Sequence, residues 1–405
     1  MTQNFKQQPL NNSLLSGKRS FWAQGEAIAT LVGTIIGAGV FTLPYVVEQA
    51  SFLVSFGWFL LVLVFIIYLH LAFGEIVLRT SKEYRLPGYA GYYLGAPAQR
   101  LMFLTTFLTF SFSLLIYLLL ASQFLQTLLI SFLPSNLFPF EFVVILLWLI
   151  LSLILLSRRD HLTKINFILS ILLVVLFIVL GLVLLPHFEF SRVNWFPPLS
   201  KAAWLLPYGV FFYALNGLVA VPAAHRILKI KRLPRETFKK IIVSGILISA
   251  ACYLLFILTV VGASGFETTP ESILGLSKIL GPGIIILGSG LGFLAVVTSY
   301  LIFADYIKKS FLNDFKWTPF LSNFLVILGP LILYFCHLGN ILTLISFMGG
   351  MLGGFEGTMV LLILRKAKEK PDLTPAFEVP LNNFIFVFLL VALVAGALLQ
   401  TFLVV

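Results

Sequence analysis

Two stretches of this 405-residue sequence combine glycine, proline and small residues inside long apolar runs. The first reads GTIIGAGVFTLP, from Gly33 to Pro44. The second reads FFYALNGLVAVP, from Phe211 to Pro222. In each, a glycine (Gly39, Gly217) stands five residues before a proline (Pro44, Pro222). Glycine inside a helix costs roughly 1 kcal/mol relative to alanine, so Gly33, Gly37 and Gly39 together invite the backbone to unwind. Unwound backbone in hydrocarbon survives only where it lines a cavity or meets a ligand. The N–H groups that open the second half-helix, near Gly39, suit a carboxylate. The carbonyls that end the first half suit an ammonium or a metal cation. Asn216 and Gly217 offer the same pair of ends in the second stretch. Gly33 and Gly37 also fit a small-residue packing seam between helices. Two interruptions of the same form favour the breaks over the seam.

Ionisable groups inside apolar runs are costly and are candidates for function. Glu356, in MGGMLGGFEGTMVLLILRK, is the clearest. A carboxyl there can take up a proton and release it as a cavity opens. The competing reading is a gate ion pair or a group in a water-filled vestibule. Glu75 stands four residues before Arg79, and an i,i+4 pair accounts for it. Glu26 and Asp305 lie near helix ends and join a gate network. For His70, alone in its run, a hydrogen-bonded packing role outweighs a proton relay.

The elements that must carry these residues follow from composition. Apolar residues make up 60% and charged residues 11% of the chain, and mean hydropathy is +1.03. A soluble domain carries about 25% charged residues. A cytosolic enzyme, a secreted domain and a disordered chain are thereby excluded. Cys252 and Cys336 both lie in apolar runs and fix no redox compartment. Spans of about 20 apolar residues are needed to cross a bilayer. Eleven are read: 23–49, 52–79, 99–132, 140–157, 162–186, 201–228, 238–263, 283–307, 318–336, 341–364 and 381–404. The polar residues 1–20 carry no cleavable leader. With the N-terminus in the cytoplasm, only Arg192, Lys201 and Lys278 of the 27 Lys and Arg fall outside. That asymmetry makes the +11 charge topogenic rather than nucleic-acid binding, and it sets N-in, C-out. The predicted class is an all-α polytopic membrane protein in the cell membrane.

The two Gly–Pro pairs are offset by 178 residues, since 222 − 44 and 217 − 39 agree. The same offset carries each of the first five spans onto the next five. A five-span unit is odd in number, so its copy enters the membrane from the opposite side. This predicts an inverted repeat, a common plan of secondary transporters. The expected organisation is a cytoplasmic tail 1–22, a first five-helix repeat 23–186, a second 201–364, and one extra helix 381–404, with spans one and six broken at the midplane.

GTIIGAGVFTLPY (Gly33–Tyr45) resembles the first helix of the amino acid/auxin permease family and its aromatic amino acid permease branch. These belong to the amino acid–polyamine–organocation superfamily, with the LeuT-type fold. LPGYAGYYLG (Leu86–Gly95) resembles their second-to-third helix loop, FFYALNGLVAVP their sixth helix, and VVTSYLIFADYIKKS (Val296–Ser310) their eighth. The resemblance covers spans one to ten. It implies a secondary amino acid transporter working by alternating access. The substrate carboxylate would meet N–H groups of Gly37, Ala38 and Gly39. The amino group would meet carbonyls near Thr34, Tyr213, Ala214 and Asn216. Phe212 and Tyr213 would wall the side-chain pocket. In sodium-coupled members a Thr-Ser pair on the eighth helix holds a cation. Carried over, its ligands are the hydroxyls of Thr298 and Ser299 and the carbonyls of Gly33, Ile36 and Ala295, an all-oxygen set that suits a hard cation. Such hydroxyls also bond their own helix one turn back, and a similar pair occurs in proton-using relatives. Lys164 is too shallow to mimic that cation as a fifth-helix lysine does in some proton-coupled relatives.

Enzymatic alternatives find little support. No His-Glu-x-x-His and no phosphate-binding Gly-Lys-Ser/Thr loop is present. GASG (Gly262–Gly265) matches a membrane serine-protease pattern by chance, with no histidine near it. The expected protein is therefore no enzyme and takes no cofactor. Its partners are an amino acid (aromatic, or another neutral one), a coupling proton or sodium ion, and lipid. A non-transporting sensor, a cation-independent exchanger and a channel are the alternatives. Substrate, coupling ion and oligomeric state stay open.

Overall fold

The computed structural model describes residues 17–134, 137–156, 162–196, 200–276, 280–313, 315–337 and 341–403. Residues 1–16 of the tail, with Lys6, lie outside the described residues, as do Arg158, Arg159, Lys278 and the side chains of Lys18, Arg19, Lys164 and Lys201. The described residues form helices joined by loops and turns, with no strand among them. The first run divides into α1 (Gly17–Ile35), a short 3-10 helix Ala38–Thr42, and α2 (Leu43–Ala50), bent by 50° at the break. There follow α3 (Phe52–Arg79), α4 (Leu86–Leu94), α5 (Ala96–Phe132), α6 (Phe140–Leu156) and α7 (Leu162–Leu184). The second broken run is α8 (Lys201–Leu215) and α9 (Ala220–Ile230). Then come α10 (Thr237–Ser264), α11 (Pro282–Asn313), α12 (Pro319–Phe335) and α13 (Ile341–Phe347). A π-helical segment Met348–Gly353 joins α13 to α14 (Gly354–Glu369), and α15 (Asn383–Leu403) closes the chain.

Among the described residues seven segments are long and apolar enough to cross a bilayer, and the bent pair α1–α2 makes an eighth. Shorter apolar helices, Phe140–Leu156, Ile171–His187 and Pro319–Phe335, stand where the fourth, fifth and ninth spans are read from the sequence. Large aliphatic and aromatic side chains such as Leu60, Val64, Leu149, Leu153, Phe384 and Phe388 face outward, as a lipid-facing surface requires. Local chemistry sets several ends. Thr318 caps α12 by accepting the Leu321 N–H, with Pro319 in the first turn. Gly95, at φ 92°, turns α4 into α5 through a conformation that L side chains avoid. Two features differ from the sequence reading. Leu86–Leu94 is a helix rather than a loop. The tenth span is not continuous α-helix but widens into the π segment. Within the bundle α5 lies along α11, while α1 packs on α9 and α10, and α8 on α3 and the π segment.

On the face that carries Arg79, residues 370–380 run as a strap across the end of α3. Asp372 and Leu373 both donate their N–H to the Arg79 carbonyl. The Asp372 carboxylate accepts from the Ser81 N–H and hydroxyl and from the Tyr92 hydroxyl. The Ser81 N–H, then Tyr92, hold that carboxyl below its ordinary range. The deeper anchor is Glu75, which is fully buried. It accepts from Arg79 Nε at 2.7 Å, from the Val379 N–H at 2.6 Å, and pairs with Lys368 Nζ at 2.8 Å. The strap thus ties α14 and α15 to α3. Removing one partner of a buried ion pair leaves the other charge uncompensated, at about 3–5 kcal/mol. Glu75→Gln is therefore expected to lower the melting temperature of the purified protein sharply. Glu378→Gln, which removes an exposed partner of Arg79 and Lys368, should change stability by no more than about 0.5 kcal/mol. Equal melting of the two variants would show that the buried pair does not hold the strap.

Candidate functional site

The ends of the two broken runs face each other. Helix termini leave backbone groups without intrahelical partners, which in an apolar interior must be met by other means. One hydroxyl meets two of them. Tyr253, on α10, stands 2.7 Å from the Ile35 carbonyl and 2.9 Å from the Ala214 carbonyl. A hydroxyl has one proton, so the two carbonyls share it. The packing is reciprocal as well. A Cβ on Gly39 would stand 2.9 Å from Ala214 Cα, and one on Gly217 would stand 2.4 Å from Ile35 Cγ1. Each break thus places a glycine against the last residues of the other run's first half-helix. His70, on α3, closes the second break. Its Nε2 accepts the Gly217 N–H at 3.0 Å while Nδ1 lies 2.8 Å from the Ile66 carbonyl. An N–H can only donate and a carbonyl can only accept, so the geometry requires the neutral Nδ1–H tautomer. The histidine read as a packing residue is thus a backbone partner of the break itself.

A small cavity of about 30 Å³ lies between the breaks. Of the residues expected to hold substrate, Thr34, Gly37, Gly39, Tyr213, Ala214 and Asn216 line it. Ala38 is buried in the 3-10 helix beside them. Phe212 does not border it; its ring packs on Gly353 and Tyr208. Glu356 lines the opposite wall, in the first turn of α14. It is buried, and its carboxylate accepts from Asn216 Nδ2 at 3.3 Å. Asn216 Oδ1 in turn accepts the Leu218 N–H at 3.2 Å. One side chain therefore joins the carboxyl to the start of the second half-helix. Thr109, Ser113, Tyr117, Phe303 and Met348 complete much of the wall. Sequence reasoning missed these. The four-residue spacing of Thr109, Ser113 and Tyr117 in an otherwise apolar helix was the available signal.

Two groups of aromatic side chains lie near the cavity. Phe41, Phe124, Phe177 and Phe256 form one contiguous aromatic cluster, with Phe41 and Phe124 centroids 4.9 Å apart. On the Arg79 side, Tyr117, Phe303, Phe110 and Tyr306 form a continuous chain of ring contacts, and the Arg85 guanidinium lies over Tyr306. A water needs about 10–15 Å³, so the cavity has room for about two. An amino acid enters only if the walls part.

The residues carried over as cation ligands lie partly together. Ser299 Oγ is 3.0 Å from the Ala295 carbonyl and 3.4 Å from the Ile36 carbonyl. Thr298 Oγ1 is 2.9 Å from the Ala295 carbonyl, and bonds the Leu294 carbonyl of its own helix too. Thr298 also borders a narrow cleft of leucines from α7. Gly33 is buried within α1, and among the described hydrogen bonds none joins it to this group. No group of three or more His, Cys, Asp or Glu suited to a transition metal occurs among the described residues.

Comparison with known proteins agrees with this geometry. Two solved structures share the fold with a TM-score of 0.60 each. Mhp1, a nucleobase-cation-symport-1 family transporter in a closed conformation with bromovinylhydantoin bound, is 12% identical, over 93% of this chain and 91% of that one. MhsT, in complex with L-phenylalanine, is 16% identical, over 94% of this chain and 98% of that one. At such identities the likeness shows the fold, the LeuT-type arrangement, and no more. No curated protein matches the sequence. A family model does, over residues 20–400, nearly the whole chain, and it describes permeases rather than enzymes. The chain belongs to the tryptophan/tyrosine permease family.

Proposed function

We propose that the protein is a secondary active transporter of aromatic amino acids, coupled to a cation and working by alternating access. It stands in the amino acid/auxin permease branch of its superfamily. The observation that carries this reading is the convergence of two half-helix ends and one buried carboxyl on a single small cavity. The N–H groups of Gly37, Ala38 and Gly39 take the substrate carboxylate at the start of the second half-helix. Carbonyls near Thr34 and at Tyr213, Ala214 and Asn216 take the amino group. The aromatic ring lies against α5 and α11. Residues 23–186 and 201–364 act as the two inverted repeats, and their broken helices part to admit substrate from alternate sides. The tail 1–22 is cytoplasmic, the extra helix 381–404 ends outside, and the protein resides in the plasma membrane, as the distribution of Lys and Arg supports.

The coupling ion in this reading is a proton carried by Glu356. The carboxyl is buried in the cavity wall, and among the described residues it has no basic partner. Through Asn216 it is bonded to the break that must move. One specific observation favours a second reading, sodium. The hydroxyls of Thr298 and Ser299 and the carbonyls of Ile36 and Ala295 already form one hydrogen-bonded group. Gly33 would add the remaining carbonyl.

Uptake of labelled tryptophan, tyrosine and phenylalanine into proteoliposomes tests these readings together. An inward proton gradient is expected to drive accumulation, and a sodium gradient alone is not. Glu356→Gln should abolish accumulation against a gradient while counterflow exchange of substrate persists. Sodium-driven uptake that is lost in Thr298→Val would replace the proton by the second reading. Binding without any uptake or counterflow would make the protein a sensor. Gly39→Ala sets a Cβ against Ala214 Cα. By the usual cost of overpacking it should penalise the closed conformation by about 1–3 kcal/mol. Transport is expected to fall about tenfold or more at unchanged expression; wild-type rates would show that the two breaks need not approach.

A further inference from the structure

The turn between α9 and α10 is strongly basic. Seven of the fifteen residues from Arg226 to Lys240 are lysine or arginine, against one acid, Glu236. The flanking segments Ala202–Ile230 and Thr237–Glu267 are long and apolar enough to cross a bilayer, so the turn stands at a membrane surface. Three of the seven fasten it to the bundle. Lys229 pairs with Glu83 at 2.9 Å and Lys231 with Glu26 at 3.0 Å, while Arg235 donates to the Leu78 and Thr374 carbonyls. The other four, Arg226, Arg232, Lys239 and Lys240, are exposed and make no hydrogen bond or ion pair among the described residues. Most basic residues of this face are placed differently. Arg79, Arg85, Lys309, Arg365, Lys366 and Lys368 each meet a carboxylate or an aromatic ring. An excess of Lys and Arg in short loops sets topology. It does not account for four that one short turn holds together without partners.

Apolar side chains flank the charges. Ile230 ends α9 exposed, and Phe21 and Trp22 are exposed near the start of α1. Trp22 stands four residues before Glu26, hence on the same side of α1, and Glu26 is the partner of Lys231. Aromatic rings at the ends of spans sit at headgroup level, where polar and apolar surroundings meet. A ligand that suits both parts carries a negative phosphate beside hydrocarbon. We propose that the turn Arg226–Lys240, with Trp22 beside it, is a binding surface for the headgroups of anionic phospholipids. Lys229, Lys231 and Arg235 hold the platform, and the four unpaired side chains take the phosphates. One basic residue near an anionic surface adds about fivefold to the local preference, so four give an enrichment of about tenfold or more even when they screen one another. The attraction weakens at high salt, where exposed charges are screened. None of this depends on what the central cavity binds.

The test places the full chain in phosphatidylcholine vesicles that contain a minor fraction of one brominated lipid, either phosphatidylglycerol or phosphatidylcholine. Bromine quenches tryptophan at short range, and subtracting the signal of Trp22→Phe isolates Trp22. Brominated phosphatidylglycerol is expected to quench Trp22 as strongly as brominated phosphatidylcholine does at about tenfold higher content, and the difference should fade at high salt. Arg226→Gln, Arg232→Gln, Lys239→Gln and Lys240→Gln together should make the two lipids quench alike. Lys82→Gln with Lys370→Gln, which removes exposed charges of the same face outside the turn, should leave the difference in place. A monodisperse elution profile shows that each variant folds. Equal quenching of the wild-type protein by both lipids overturns the proposal. So does a preference that survives the fourfold change, or one that the control pair abolishes as fully, since the charge of the whole face then attracts the lipid. Glycerol phosphate in solution, at a concentration equal to that of the phosphatidylglycerol, should not remove the difference; if it does, the turn binds free phosphate esters and not lipid. Transport does not enter the readout, so each of these results leaves the transporter reading standing.

Discussion

Everything near the cavity follows from one constraint. A helix cut in the middle of a membrane exposes carbonyls and N–H groups that hydrocarbon cannot satisfy. This chain cuts two helices and sets the cuts against each other, so that each supplies part of the other's surroundings. Glycine makes the approach possible: Gly39 touches Ala214, and Gly217 touches Ile35. Two side chains from uncut helices and one at the second break itself then complete the hydrogen bonding. Tyr253 serves one carbonyl of each run. His70 accepts the Gly217 N–H, and Asn216 bridges the second break to Glu356. The groups left over at the centre face the cavity. In the function proposed above, a zwitterionic amino acid would supply the complementary pair of charges there.

The same logic explains the glycines of the tenth span. Gly349 packs so closely on α8 that a Cβ would meet the Gly209 carbonyl at 1.8 Å. A Cβ on Gly209 would in turn stand 2.3 Å from the Ser346 carbonyl. Gly350 lies against Gln400 and Gly354 against Leu393, both on α15, while Gly353 takes the Phe212 ring. The Gln400 side chain donates to the Ser346 hydroxyl. Helix ten is thus pressed between α8 and α15, and the widened π turn falls at that point. Single π turns are often found at functional sites. Here the turn precedes Glu356 by three residues and sets its carboxyl on the cavity wall.

Much of this was legible in the sequence. The apolar runs, the offset Gly–Pro pairs and the isolated Glu356 located the helices, the breaks and the carboxyl at the cavity. These signals are local, because each depends on residue types that an apolar helix tolerates poorly. What the sequence did not show depends on which helices touch. Tyr253 is one tyrosine among 13 until α10 is laid across both breaks. His70 reads as a packing residue until Gly217 arrives from 147 positions away. Phe212 and Tyr213 are neighbours in sequence, yet a helix turns them about 100° apart. Only Tyr213 reaches the cavity, while Phe212 fills the gap over Gly353. The stretch Leu86–Gly95 is placed as a loop by its resemblance alone, and Leu86–Leu94 folds as a helix with Tyr89 buried against Phe73 and Tyr84.

The strap of residues 370–380 gives helix ten a mechanical role that its residues alone do not suggest. Through Glu75 and the Arg79 carbonyl it fixes the chain after α14 to the end of α3. Helix α3 also carries His70, the partner of the second break. Glu356 and His70 therefore flank the same two residues, Asn216 and Gly217, from helices that the strap joins at one end. Any motion that separates α14 from α3 at the cavity must pull Asn216 from Glu356 or Gly217 from His70. Both contacts are buried, so neither group finds water in exchange unless the cavity opens at the same time. Opening the cavity and changing the hydrogen bonds of a titratable group are then one event, which is the physical requirement for coupling an ion to a substrate.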